Sequence, residues 1–397
     1  MDSNVRITIM GLGYIGLPTA ALIASKGIYV HGVDVQKNVV DTINSGKIHI
    51  VEPALDGLVK HDVERGLLKA AQEPVKSDVF LIAVPTPFKE EHQPDLSYVE
   101  SATQMIIPYL EEGNLFIIES TSPVGTTEKM AELIFSKRQE LKGKIFIAYC
   151  PERVLPGNVI YELKNNDRAI GGIDERSTKR AVEFYRLFVS GELHETNART
   201  AEMTKLVENA SRDVQIAFAN ELSMICDEAN INVWELIELA NKHPRVNILQ
   251  PGTGVGGHCI AVDPWFIVSD FSEKAKMIRT AREINNFKTE WVIEKITNHA
   301  LEFEVKKGRK PVIACYGLAF KPDIDDLRES PSMYVVQSLI SQGYKVLPVE
   351  PNLDAKRVSG FHLCSMEEAL AKSDIGFKLV NHSVFKNLHK NVISFVQ

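Results

Sequence analysis

The sequence predicts an α/β protein: two doubly wound parallel-sheet domains joined by a central helical domain with one long helix. Three observations carry this. Short β-rich runs alternate with helix-favouring stretches through the first part of the chain. Residues 201–231 then contain no Gly or Pro and step their apolar side chains by three and four. The strand–helix alternation returns after residue 300. The expected domains are residues 1–197, 198–300 and 301–397.

The first element, Val5 to Met10, is followed at once by Gly11-Leu12-Gly13-Tyr14-Ile15-Gly16. Leu17 to Lys26 is Ala-rich and reads as a helix, with Gly27 as its stop. A second strand, Tyr29 to Val33, ends at Asp34, 18 positions after Gly16. This is a Rossmann-like β-turn-α-β unit. Gly11 permits the tight turn, Gly13 lets the backbone approach a pyrophosphate, and Gly16 lets helix and strand pack closely. The helix N-terminus offers N–H groups to the phosphates, which makes Tyr14 and Ile15 candidate contacts beside the glycines. Asp34 would hold the adenosine ribose hydroxyls and repel a 2′-phosphate, so NAD is the expected cofactor. A glycine turn without a ligand is the bland alternative. The strand before it, the helix after it and the well-spaced acid speak against that.

Three further strands follow: Val79–Val84, Leu115–Glu119 and Ile145–Tyr149. Each is nearly continuous in apolar residues, as central parallel strands are. They end in Pro85-Thr86-Pro87, Ser120-Thr121-Ser122-Pro123 and Cys150-Pro151-Glu152-Arg153. Ligands of open α/β sheets sit beyond the carboxyl ends of strands, which makes these loops candidate site segments. For Thr86, Ser120 and Thr121, helix capping is the competing reading.

In the long helix, Met203, Leu206, Val207, Ala210, Val214, Ala217, Phe218, Leu222 and Ile225 form the apolar stripe. Lys205, Asn209 and Asp213 stack on another face. A solvated polar face is the ordinary meaning of such a stripe. Helices are also expected near 233–241 and 272–299, and the block reads as a connector and dimerisation domain. The tail repeats the grammar with strands Pro311–Tyr316 and Tyr344–Val349 around a helix at 332–341. Its glycine pattern is incomplete. Lys378, inside the apolar run Ile375–Val380, has no explanation in the sequence.

The composition bounds the chemistry. The chain has 397 residues, 44% hydrophobic and 24% charged, which excludes a disordered chain. Five unclustered cysteines exclude a disulfide scaffold. A formal net charge of −7 argues against nucleic acid and membrane surfaces as partners. No run approaches the roughly 18 apolar residues that span a bilayer. Residues 1–10 do not read as a signal peptide, so a cytoplasmic protein with reduced thiols is expected.

The most informative segment is Pro251 to Trp265, with four glycines among residues 252–257, then His258, Cys259 and Asp263. Such a run lets backbone wrap closely around a ligand. Cys259 is the one cysteine placed in a glycine loop beside ionisable groups, and it reads as a nucleophile. Convergent Cys/His ligands are too few to expect a metal. An alcohol dehydrogenase needs no nucleophile, but oxidising an aldehyde to an acid does. A thiolate adds to the aldehyde to give a thiohemiacetal, which can lose hydride and become a thioester for water to cleave. NAD and Cys259 together point to an enzyme that reaches the acid oxidation level.

At these residues the chain resembles the nucleotide-sugar 6-dehydrogenases, the family of UDP-glucose dehydrogenase. The resemblance runs along essentially the whole chain. Its marks are Gly11 to Pro18, Val84 to Pro87, Glu119 to Thr127, Tyr149 to Gly157, Thr200 to Asn209, the Cys259 loop and Phe320 to Pro331. It implies two NAD consumed per cycle, a UDP-sugar substrate, and a homodimer or higher homo-oligomer. It also implies roles. Cys259 forms the thiohemiacetal and thioester. Lys205 steadies the oxyanion or moves a proton, and Asn209 positions the sugar. Asp263 and Thr121 organise a water, and Glu152 activates it. Arg328 and Thr86 reach the cofactor. Arg153, Gly256, His258 and Lys321 contact the substrate. Arg245 serves the UDP phosphates across the dimer, a local cationic pocket in an acidic protein. One departure bears on the sugar. Val262-Asp263 stands where the glucose enzymes carry Lys-Asp, and Pro-Glu-Arg replaces their Pro-Glu-Phe. Both resemble the N-acetylmannosamine branch.

Overall fold

The computed structural model describes residues 5–50, 52–87, 89, 93–154, 157–257, 259–353, 360–386, 388 and 392–397. They form two compact units, Met1–Val207 and Glu208–Gln397.

The first unit is built on a sheet of β1 (Arg6–Met10), β2 (Tyr29–Val33), β3 (Leu68–Ala71), β4 (Val79–Ile82), β5 (Leu115–Ile118), β6 (Phe146–Tyr149), β7 (Arg168–Gly172) and β8 (Leu193–Asn197). Their order is β3-β2-β1-β4-β5-β6-β7-β8. All neighbours are parallel except β6 and β7, which run antiparallel. The apolar runs are continuous because both faces are covered. Ile7, Ile9, Leu81 and Ile117 enter one core, and Met10, Phe80, Ile82 and Ile118 the other. β8 lies at the sheet edge with His194 and Glu195 exposed, so it leaves no apolar signal to read.

The turn after β1 is as tight as its glycines require. Gly11 has φ +91°, and its N–H donates to the Val33 carbonyl at 2.8 Å. The helix Gly16–Ala24 is buried along its whole length. A Cβ on Gly16 would lie 1.8 Å from the Gly11 oxygen. A Gly16→Ala chain should therefore lose about 1–3 kcal/mol from overpacking. Urea unfolding measures this, and an unchanged midpoint would show that the turn has slack.

The second unit carries β9 (Val312–Tyr316), β10 (Lys345–Val349), β11 (Ile375–Lys378) and β12 (Val392–Ser394), ordered β10-β9-β11-β12 and parallel throughout. The turn after β9 repeats the one after β1. Gly317, at φ +94°, donates to the Val349 carbonyl at 2.8 Å. Leu318 N–H donates to the Glu350 carboxylate at 2.8 Å, as Leu12 N–H does to Asp34 at 3.1 Å. The incomplete glycine pattern thus still builds the turn, with Ala319 where the N-terminal turn has Gly13. Lys378 is the last residue of β11, opposite Tyr316 on one side and Ser394 on the other. Its ammonium donates to Asn381 Oδ1 at 3.0 Å, and burial lowers its pKa.

The predicted long helix lies at Ala198–Glu228, and the one expected at 272–299 lies at Lys276–Lys307. A short helix, Asp263–Asp270, follows the cysteine loop without having been read from the sequence. The stripe of Lys205, Asn209 and Asp213 is not the solvated face its composition implied: Asp213 is fully buried and the other two are half-buried. Asn220, further along the helix, is also fully buried, while Phe218 and Ile225 from the apolar stripe are 59% and 55% exposed. Among the described residues no helix is long and apolar enough to cross a membrane.

Candidate active site

The cofactor turn leaves room where room is needed. A Cβ on Gly13 would meet nothing within 4 Å, so the backbone there can be approached closely. Asp34 is half-buried, its carboxylate steadied by the N–H groups of Leu12 and, at 2.9 Å, Gln36. Tyr14 is exposed and Ile15 half-buried beside it. These features suit a dinucleotide whose pyrophosphate lies on the turn and whose ribose reaches Asp34.

The loops past β4 and β5 are tied to each other. Ser120 Oγ donates to the Val84 carbonyl at 2.8 Å, which places buried Thr86 and half-buried Thr121 on neighbouring strand ends. The helix Thr126–Lys137 is capped from a distance: Glu202 accepts from Gly125 N–H at 2.6 Å and from Thr127 N–H at 2.8 Å. Glu202 therefore holds a helix N-terminus. Its neighbour Lys205, one turn on, is half-buried. Past β6, Glu152 is buried and ion-paired with Arg168 at 2.8 Å, and Arg153 reaches the Asp167 carbonyl.

In the second unit the glycine loop answers first to the protein itself. A Cβ on Gly254 would lie 2.3 Å from Thr289 Oγ1, and one on Gly256 2.5 Å from the Glu329 carbonyl oxygen. Gly257 has the Phe320 ring 2.7 Å from its missing Cβ and donates to the Arg328 carbonyl at 3.0 Å. At those three positions a side chain has no room, because Thr289 and the Phe320–Pro331 segment stand against them. That contact also brings Gly256 against the segment bearing Lys321 and Arg328, both exposed. Arg328 pairs with Asp326 at 2.7 Å.

Cys259 is exposed, whereas Cys150, Cys226 and Cys315 are buried and Cys364 is intermediate. Burial pushes the Cys150 and Cys315 thiols up to about 12, which leaves them inert as nucleophiles. The Cys259 carbonyl accepts from Asp263 N–H at 2.8 Å, so the cysteine sits one turn before the helix that Asp263 begins. Asn209 Nδ2 donates to Asp263 Oδ2 at 2.6 Å, joining two predicted residues 54 positions apart. His258 lies outside the described residues. Arg245 is exposed past the helix Val233–Ala240.

Asp213 finds its meaning in residues the sequence reading passed over. It accepts from Arg282 Nη1 at 2.6 Å and from Asn285 Nδ2 at 2.7 Å. Asn285 accepts from Asn220 at 2.9 Å, and Asn220 accepts the Gly252 N–H at 2.8 Å. A buried polar chain thus runs from the long helix to the start of the cysteine loop. Burial raises the Asp213 pKa, against the pull of Arg282. The signal in the sequence was Asp213 itself, stacked in one stripe with Lys205 and Asn209.

Residues 5–189 match the NAD binding domain of the UDP-glucose/GDP-mannose dehydrogenase family, residues 199–287 its central domain and residues 314–395 its UDP binding domain. The chain belongs to the UDP-glucose/GDP-mannose dehydrogenase family. It is 54% identical to the UDP-N-acetyl-D-mannosamine dehydrogenase of Escherichia coli over 412 residues, covering 98% of each chain. It is 53% identical to the NDP-N-acetyl-D-galactosaminuronic acid dehydrogenase of Ralstonia nicotianae, over 98% of this chain and 93% of that one. The solved structure of the UDP-D-ManNAc dehydrogenase from Pyrococcus horikoshii shares its fold with a TM-score of 0.87 at 41% identity, covering 98% and 93% of the two chains. The resemblance read from the motifs is therefore borne out. So is the fold: two Rossmann-like sheets and a helical region between them, in an NAD-binding dehydrogenase of this family.

Proposed function

We propose that the chain oxidises the C6 hydroxymethyl of UDP-N-acetyl-D-mannosamine to a carboxylate in two steps. The observation that carries this is the exposed Cys259 one turn before the Asn209–Asp263 pair, in a chain 54% identical to an enzyme of that name. NAD supplies the hydride acceptor, used twice because alcohol to acid releases four electrons. Lys205 steadies the alkoxide or oxyanion, and Asn209 orients the sugar. Cys259 adds to the aldehyde, and the thiohemiacetal that has lost hydride is a thioester. Asp263 and Thr121 order the water that cleaves it, and Glu152 takes that water's proton. Gly11, Gly13, Tyr14, Ile15, Gly16, Asp34, Thr86, Thr121 and Arg328 serve the cofactor. Arg153, Gly256, His258 and Lys321 serve the sugar nucleotide.

Residues 1–197, 198–300 and 301–397 divide the work among cofactor, assembly and UDP. Exposed Phe218, Ile225 and Leu239 support a homodimer, from which Arg245 reaches the partner's phosphates. The soluble pools of NAD and nucleotide sugar make the cytoplasm the expected compartment. The 53% identity to the Ralstonia galactosaminuronate enzyme keeps a second reading in view, a different UDP-N-acetylhexosamine.

NADH formed per sugar consumed, read across UDP-N-acetylmannosamine, UDP-N-acetylgalactosamine, UDP-N-acetylglucosamine and UDP-glucose, decides. Two NADH per UDP-N-acetylmannosamine is the expected result. One per sugar would refute the four-electron course, and a preference for another sugar would refute the substrate.

A further inference from the structure

Glu152 is one member of a buried set. Its Oε2 accepts from Arg168 Nη1 at 2.8 Å, and its Oε1 from the Arg153 backbone N–H at 2.7 Å. The same Arg168 Nη1 lies 4.0 Å from Glu119 Oε1 and 3.9 Å from Cys150 Sγ. Glu119 Oε1 accepts from the Tyr185 hydroxyl at 2.6 Å, while its Oε2 is buried without a hydrogen-bond partner among the described residues. The guanidinium sits over the Tyr185 ring, 5.1 Å from its centre, and Nη2 donates to the Leu163 carbonyl at 3.1 Å. Two carboxylates therefore share one cation away from water, an arrangement that disfavours ionising both.

We propose that Arg168 is a positioning residue for the acid-forming half of the reaction, and that the charge on Glu119 sets how firmly Glu152 takes a proton from water. The inference rests on the role of Glu152 proposed above. In that half the water oxygen bonds to the thioester carbonyl carbon, and its proton passes to Glu152. The C–S bond breaks, Cys259 leaves as thiolate, and the proton on Glu152 returns to it. No electrons are transferred. Arg168 fixes where the accepting carboxylate stands. Glu119 competes for the same guanidinium.

The groups facing Glu119 are Arg168 on β7, Glu152 and Cys150 past β6, and Tyr185 on the helix Glu175–Tyr185. Burial raises both the Cys150 thiol and the Tyr185 hydroxyl, so neither ionises near neutrality. Burial also lifts Glu119 to about 7, against Arg168. Below that pH Glu119 is neutral, and Arg168 faces one charged carboxylate, that of Glu152. Above it Glu119 is charged as well, and two carboxylates compete for the one guanidinium.

The test is a single turnover with NAD and UDP-N-acetylmannosamine across pH 6–9, quenched for intact mass of the acyl-Cys259 adduct. Glu119→Gln keeps the Tyr185 hydrogen bond and removes the charge. It should lose the rise in hydrolysis through about pH 7, fall roughly tenfold above it, and accumulate adduct. Arg168→Lys should lower kcat at least as much, with the sugar KM near wild type. Glu152→Gln is the reference. Adduct in that variant, with a wild-type profile in Glu119→Gln, would overturn the inference and leave the role of Glu152 standing. No adduct and wild-type acid formation in Glu152→Gln would overturn both. If Arg168→Lys does not fold, the Glu119→Gln profile decides alone.

Discussion

A Cys259→Ala chain is expected to form no uronic acid. The loss in acid-forming turnover should be on the order of 10³-fold or more, as when a covalent nucleophile is deleted. Oxidation of the alcohol needs no sulfur, so some aldehyde formation and at most one NADH per sugar should survive. The structure favours Cys259 over its four rivals on exposure alone. Cys150, Cys226 and Cys315 are buried, and Cys364 is intermediate with a thiol that burial raises. Two NADH per sugar at a wild-type rate from Cys259→Ala would remove the nucleophile and the thioester course together.

The largest effect on stability is expected at Arg282→Met. Arg282 and Asp213 are 3% and 0% exposed at their side chains and pair at 2.6 Å. Removing the guanidinium strands a buried carboxylate, which costs about 3–5 kcal/mol. The Asp213 pKa is already raised in the folded chain, so the native state binds more protons than the unfolded one. Without Arg282 that difference grows, and stability should fall as pH rises from the acid range toward neutrality. Urea midpoints across pH 4–8 test this. The double change Arg282→Met with Asp213→Asn should recover most of the loss, since no charge is left unpaired. Equal destabilisation at every pH would mean that lost packing, not the stranded charge, is the cause. The polar chain from Asp213 through Asn285 and Asn220 to Gly252 predicts a second symptom, a looser cysteine loop and a lower kcat.

The sequence was legible where one local rule decides a feature. The turn at Gly11–Gly16 follows from backbone sterics, and the central strands follow from burial on both faces. It was less legible where distant residues decide. Asn209 and Asp263 were each singled out, but their hydrogen bond depends on packing a helix against a loop 54 positions away. The polar stripe that ends at Asp213 looked solvated because periodicity shows that a face is polar, not whether Arg282 and Asn285 will meet it. Glu119 stood in a motif without a role, and Arg168 had no motif, since their meaning is the contact each makes around Glu152. The need for glycine at Gly254, Gly256 and Gly257 was not legible either, because the sequence does not show Thr289, Phe320 and Pro331 folded against them.

The repeated turn has a bearing on binding stoichiometry. After β1, the acid at the strand end is half-buried and partly open to a sugar hydroxyl. After β9, Glu350 is only 5% exposed, with its Oε2 receiving Leu318 N–H, Ala319 N–H and the His382 ring and its Oε1 receiving Asn352 N–H. That carboxylate is buried and faces the donors of its own turn, which shuts it off from a ribose. Two copies of one backbone design therefore give the chain one address for a dinucleotide, and the second copy is released to bind something that does not ask for that acid.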